Sequence, residues 1–254
     1  MQNMCAGIKL PVLVLPGYLN SEPGHWQSIW ERECNWTRVM QQNWTAPVLA
    51  DWLGALTLAI RAAPGPPLLI CHSLGCILAA HYVASHPHAR ARLSGCFMVS
   101  PPDVDPFPVL PNGMTNTFQP VPLEPFGVPS VVIVSTNDPY VTIDRAKVFA
   151  DKWGSKLVNV GEKGHINVAA GVGGWQEGRL LLQDFAATIS TGTPPHGRLH
   201  DAWWALIGMA IFWICYVSIV ITAIFWYQFC NHRHRSTLFN RYYTSVPPLP
   251  RSKC

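Results

Sequence analysis

Three residues of this chain have the types and the order that acyl-transfer chemistry needs. The segment LLICHSLGC (68–76) runs an apolar stretch into Ser73 and then straight into a second apolar stretch of helical character. This is the G-x-S-x-G nucleophile elbow, with Cys71 in place of the first glycine. The turn needs small residues two places either side of the serine. Gly75 meets that fully, and Cys71 is small enough. The elbow lifts the Ser73 hydroxyl above a sheet edge and aims a helix N-terminus at it, so the Leu74 amide can donate to a developing oxyanion. Such a serine needs a base, and the base needs an orienting acid, in the chain order serine, acid, histidine. SVVIVSTNDPYV places Asp138 just past a strand end, and GEKGHIN places His165 likewise. Asp103 and Asp105, in SPPDVDP, are rival acids, but the acid usually follows the later strand.

The second oxyanion donor is expected from LPGYLNSEPGHW, where Gly17 lets the backbone turn and the Tyr18 amide follows it. Asn20 and Ser21 either line the pocket or make turns. His72, inside the elbow, packs beside Ser73. His25 opens a helix near the site edge, a place that suits capping or loop packing better than catalysis. These four are the candidate substrate contacts. No H-E-x-x-H and no C-x-x-C occurs, so neither a metal nor any other cofactor is expected.

Short apolar runs alternate with helical stretches. Strands are expected over 10–17, 37–44, 66–73, 95–100, 130–138 and 156–161. Helices are expected over 25–34, 46–62, 74–85, 143–153 and 175–189. Near-continuous apolar strands in βα units mean a parallel sheet covered on both faces. Right-handed crossovers put every strand C-terminus, and with them Ser73, Asp138 and His165, on one edge. The Pro-rich stretch 101–129 has no helical periodicity, so any lid is short and the pocket open.

The chain is 254 residues long, 49% hydrophobic and 13% charged, which excludes disorder for most of it. Residues 1–196 hold 12 Lys/Arg against 13 Asp/Glu, so no nucleic-acid footprint exists there. From Ala202 to Asn231 there is no charged residue, and 203–229 is longer than the roughly 20 apolar residues that span a bilayer. Aromatic pairs and triples at both ends fit interfacial belts. The expected organisation is a catalytic domain over 1–190, a linker over 191–201, a transmembrane helix over 202–231 and a basic tail over 232–254. No signal peptide precedes the domain, and Cys71, Cys76 and Cys96 sit in expected core elements without a disulfide framework. The expectation is therefore a single-pass membrane protein with its domain in the cytoplasm, although Arg233 and Arg235 argue for the opposite orientation.

The runs LPGYLNSEPGHWQSIWE (15–31), NWTAPVLADWLGAL (43–56), LICHSLGC (69–76), VSPPDVDP (99–106), VVIVSTNDPYV (131–141) and GEKGHIN (161–167) resemble the small serine hydrolases of the retinoblastoma-binding protein 9 and YdeN type. The resemblance covers about residues 10–190 and implies an α/β-hydrolase with a mostly parallel six-stranded sheet in the order 2-1-3-4-5-6. It implies Ser73 as nucleophile, Asp138 as acid and His165 as base, with esterase- or amidase-like activity on a small-molecule or acyl ester, an amide or a thioester. Residues 203–254 have no counterpart in it. The L-x-C-x-E motif is absent, so the retinoblastoma partner is not carried over. Two alternatives stand beside an esterase: a catalytically silent binding module anchored in the membrane, and an acyltransferase using the same three residues.

Overall fold

The computed structural model describes residues 4–86, 88 and 91–190. Its elements are α1 (Met4–Gly7), β1 (Val12–Leu15), α2 (Trp26–Cys34), β2 (Thr37–Arg38), α3 (Leu49–Ala62), β3 (Leu68–His72), α4 (Leu74–Ser85), β4 (Gly95–Val99), β5 (Ser130–Val134), α5 (Ile143–Trp153), β6 (Lys156–Asn159) and α6 (Gln176–Ser190). The six strands form one sheet in the order β2-β1-β3-β4-β5-β6, and all five pairings are parallel. β3, β4 and β5 are buried along their whole length, as the apolar runs require for a sheet covered on both faces.

The period-2 geometry of the strands divides the core in two. Leu13, Leu15, Leu69, Cys71, Met98, Val132 and Val134 face α3, α4 and α5. Val12, Val14, Leu68, Ile70, Phe97, Val99, Val131 and Ile133 face α2 and α6. α3 presents Trp52, Leu56 and Ile60 at four-residue spacing to the first core. α4 is buried almost all round, from Leu74 to Ala80. α5 starts on Thr142, whose hydroxyl accepts from the Arg145 amide, and ends on Gly154 at φ 67°, a left-handed stop that glycine adopts without strain.

Two features differ from the expectations. The second strand is two residues long rather than eight. It is an edge strand paired only with β1, and after Val39, whose amide still reaches the Val14 carbonyl, Met40 is already exposed. The cysteines are not all buried thiols: Cys5 and Cys34 form a disulfide that ties α1 to α2, while Cys71, Cys76 and Cys96 are buried and free. The lid position, 101–129, holds no helix, as its lack of periodicity implies, and only an isolated bridge between Val109 and Thr115. Among the described residues no helix is long and apolar enough to cross a membrane. The expected linker, span and basic tail lie outside those residues.

Candidate active site

β3 ends at His72 and α4 begins at Leu74, so one residue makes the whole turn. Ser73 has φ 53° and ψ −127°, a conformation that side chains avoid and that persists only where its surroundings enforce it. Two glycines do so. A Cβ on Gly75 would lie 2.2 Å from the Leu15 carbonyl oxygen, so α4 can start against β1 only with glycine there. A Cβ on Gly17 would lie 2.7 Å from the Ser73 Cβ and 3.0 Å from the Leu74 nitrogen. Gly17 therefore brings the Tyr18 segment against the elbow. Leu74 supplies the first amide of α4, which has no carbonyl partner within the helix. Cys71, at the third small position, is fully buried on the α4 side, where burial pushes its thiol pKa well up.

His165 Nε2 lies 2.9 Å from Ser73 Oγ, and its Nδ1 lies 3.0 Å from both carboxylate oxygens of Asp138. The carboxylate can only accept, so Nδ1 carries the proton and Nε2 accepts from the serine hydroxyl. The Asp138 side chain is wholly buried. Its Oδ1 also accepts from the Tyr140 amide at 2.9 Å, and the Tyr140 ring meets His165 edge-on at 4.5 Å. The three expected residues thus meet within hydrogen-bond reach. Asp103 and Asp105 do not take part: both pair with Arg145 at the start of α5.

The loop carrying His165 is pinned from several sides. His72 Nε2 donates to the His165 carbonyl at 2.9 Å, and Trp26 Nε1 donates to the Ile166 carbonyl at 2.9 Å. Asn137 Oδ1 accepts from the Gly164 amide at 2.7 Å, and Ser135 Oγ accepts from the Lys163 amide at 2.8 Å. His25, His72 and His165 form a chain of rings, with centroid separations of 4.7 Å and 4.9 Å.

The four candidate substrate contacts each have a partner within the domain, and Asn20 and Ser21 also line a cavity of about 380 Å³ with Glu31 and Arg38. Asn20 Oδ1 accepts from Arg38 Nη1, and Ser21 Oγ donates to Gln27 Oε1. His72 holds the His165 loop. His25 caps α2 through Nδ1, which accepts from the Gln27 amide, leaving its buried Nε2 without a partner among the described residues. Two hubs carry no motif that the sequence reading could use. Arg38 donates to Glu31, Asn20, Ser28 and the Ser21 carbonyl. Gln27 donates to the Leu15 and Ile70 carbonyls, binding α2 to the ends of β1 and β3. Only their isolation as polar residues beside apolar runs hinted at them.

The profile of the serine hydrolase family matches residues 12–184. The chain is 32% identical to a protein from Pectobacterium atrosepticum described as a YdeN-like hydrolase, over 71% of this chain and 92% of that one, at a TM-score of 0.61. It is 23% identical to the ydeN gene product of B. subtilis, over 69% of this chain and 98% of that one, at a TM-score of 0.56. A thermophilic esterase from Thermogutta terrifontis shares the fold at 14% identity, over 72% of this chain and 91% of that one, with a TM-score of 0.51. None of the curated proteins matches.

Two predictions come from this packing. Gly75→Ala forces a backbone clash and should destabilise the domain by about 3 kcal/mol, the upper end of ordinary overpacking costs, read as a lower denaturant midpoint at unchanged slope. Burial, then Arg38 and His165, lowers the His25 pKa from 6.5 to about 4, and burial lowers that of His72 in the same direction. A neutral buried histidine contributes stability that is complete above the unfolded value and is lost as the pH falls. The melting temperature should therefore drop from pH 6.5 towards about 4. His25→Asn, which keeps a capping acceptor, should flatten that drop; an unchanged slope would remove His25 from the acid response.

Proposed function

The chain belongs to the serine hydrolase family, and from that premise we propose that it cleaves carboxylic esters through an acyl-enzyme on Ser73. The observation that carries this reading is the unbroken relay Ser73–His165–Asp138 at 2.9 Å and 3.0 Å. Ser73 Oγ attacks the ester carbonyl while His165 Nε2 takes its proton. The same proton then goes to the departing alkoxide, and Asp138 holds the imidazole in the required tautomer. The Tyr18 and Leu74 amides receive the negative charge that develops on the carbonyl oxygen. Water activated by His165 attacks the acyl-enzyme, releasing the acid and restoring Ser73. All of this uses groups of the chain itself.

A silent binding module would have no need of a serine at φ 53° hydrogen-bonded to a buried His–Asp pair. That costly arrangement favours the enzyme. We further propose that 203–229 tethers the domain to a membrane, with the domain on the cytoplasmic side. The support is the uncharged run 202–231 with its aromatic ends.

Ser73→Ala should leave the fold intact and abolish ester turnover, and labelling by a fluorophosphonate should vanish with it. Turnover that survives would sink the assignment. Asp138→Asn should cost on the order of 10³- to 10⁴-fold in kcat, with Asp103→Asn close to neutral. The tether predicts that the full chain resists carbonate extraction. The Cys5–Cys34 disulfide stands against the cytoplasmic placement, which requires that both be recovered as thiols when alkylated in intact cells, because that compartment keeps cysteines reduced. Recovery as a bond would move the domain to the oxidising side.

A further inference from the structure

Charge is segregated along the strand direction. Because every strand is parallel, the sheet has one edge of C-terminal ends, which carries Ser73, and one edge of N-terminal ends. Residues 1–196 are close to neutral, with 12 Lys/Arg and 13 Asp/Glu. The segments entering β1, β3 and β4 at the N-terminal edge nevertheless contain no acid, 8–11 (IKLP), 61–67 (RAAPGPP) and 91–94 (ARLS), while Glu124 precedes β5 and Glu33, paired with Arg179, precedes β2. Lys9, Arg61, Arg92 and Lys156 are all exposed there. Asp151, in the last turn of α5, is offset by its neighbour Lys152.

At the centre of this edge, where α3 and α4 end, is a cavity of about 220 Å³ lined by Ile60, Arg61, Tyr82, His86, His88 and Arg92. Among the described residues neither arginine is paired with a carboxylate. Both act on one point, the Tyr82 phenol: its pKa is raised by burial against the opposing pull of Arg92 and Arg61. The His86 ring stacks on Tyr82 at 4.3 Å. The C-termini of α3 and α4 offset about half a charge each, which leaves the edge positive.

The chain also leaves the domain here. α6 ends at Ser190, and a Cβ on Gly95, the first residue of β4, would lie 2.8 Å from Ile189. Residues 191–202 then lead to the apolar run 203–229.

We propose that this basic edge seats on the phosphate headgroups of an anionic bilayer, with the Arg61–Arg92 cavity taking a headgroup phosphate, so that Ser73 opens to water on the far edge. The proposal rests on the tether. It deepens the substrate assignment: five residues of β3 at about 3.3 Å each hold Ser73 roughly 17 Å beyond the headgroup contact. Glycerol esters of the same leaflet are then out of reach, and the substrate is an ester drawn from the aqueous phase.

The test uses the domain cut after residue 190, since all six strands and both cores are complete within the described residues. It is sedimented with vesicles of phosphatidylcholine alone and of phosphatidylcholine and phosphatidylserine in equal parts. The domain should bind the anionic vesicles only, and high salt should release it. Arg61→Gln with Arg92→Gln should weaken binding on the order of tenfold or more, while turnover of a soluble ester stays unchanged. Binding equal to wild type in the double variant, or no preference for anionic vesicles, overturns the proposal. So does a stabilisation by inorganic phosphate that depends on both arginines without vesicle binding, which would make the cavity a free-anion site. Carbonate extraction of the full chain reads the tether separately. A full chain that washes off while the domain still needs both arginines removes the tether and keeps the edge.

Discussion

The site depends on a serine that is forced to turn the chain in a single residue. Ser73 at φ 53° and ψ −127° is costly by itself, of the order of 1–3 kcal/mol. It is held by a rigid frame: β3 is buried along its length on one side, and α4 is buried almost all round on the other. The frame closes only because Gly17 and Gly75 remove every side-chain atom from the contact between β1 and the elbow. The same closeness sets the Tyr18 segment beside the first amide of α4. Strain, close approach and the proposed oxyanion donors are therefore one constraint.

The histidine is positioned by different means. It sits on a loop, and loops are held by hydrogen bonds rather than by ladders. Four donors or acceptors from other elements, on His72, Trp26, Ser135 and Asn137, reach residues 163–166. Trp26 and Trp30 also pack with Trp175 at the far end of that loop, and Trp30 Nε1 donates to the Gly174 carbonyl. Large aromatics with a single polar tip suit this task, because they bury area and fix a backbone carbonyl at once. The tryptophans near the site act mainly as supports.

How much of this was legible in the sequence follows from what each feature depends on. β1, β3, β4 and β5 were visible because burial on both faces writes a continuous apolar run. Ser73, Asp138 and His165 were visible because the elbow is local and the other two sit at strand ends. The length of β2 was not, since an edge strand ends where its neighbour stops supplying carbonyls. Arg38 and Gln27 were not legible either. Their partners lie 7–18 and 6–43 residues away, and a single polar residue carries no periodicity. For the same reason the partners of Asn20 and Ser21 were not legible: the sequence shows two polar side chains, which do line a cavity, but not the arginine and glutamine that hold them.

A parallel sheet also separates tasks by its direction. Every C-terminal end gathers the groups that need strained or flexible backbone, so Ser73, Asp138 and His165 come from three βα loops of one edge. Every N-terminal end is free of that duty. There the connections are short and rich in proline, as in PGPP before β3, and Gly95 lets Ile189 of α6 come to the foot of β4. Such an edge can hold an excess of lysine and arginine away from the chemistry, because the length of β3, about 17 Å, separates those charges from Ser73. The cations nearer the reacting groups are each tied to acids: Arg38 to Glu31, and Arg145 to Asp103 and Asp105. Charge is neutralised where it would perturb a proton transfer and left open where the chain leaves the domain.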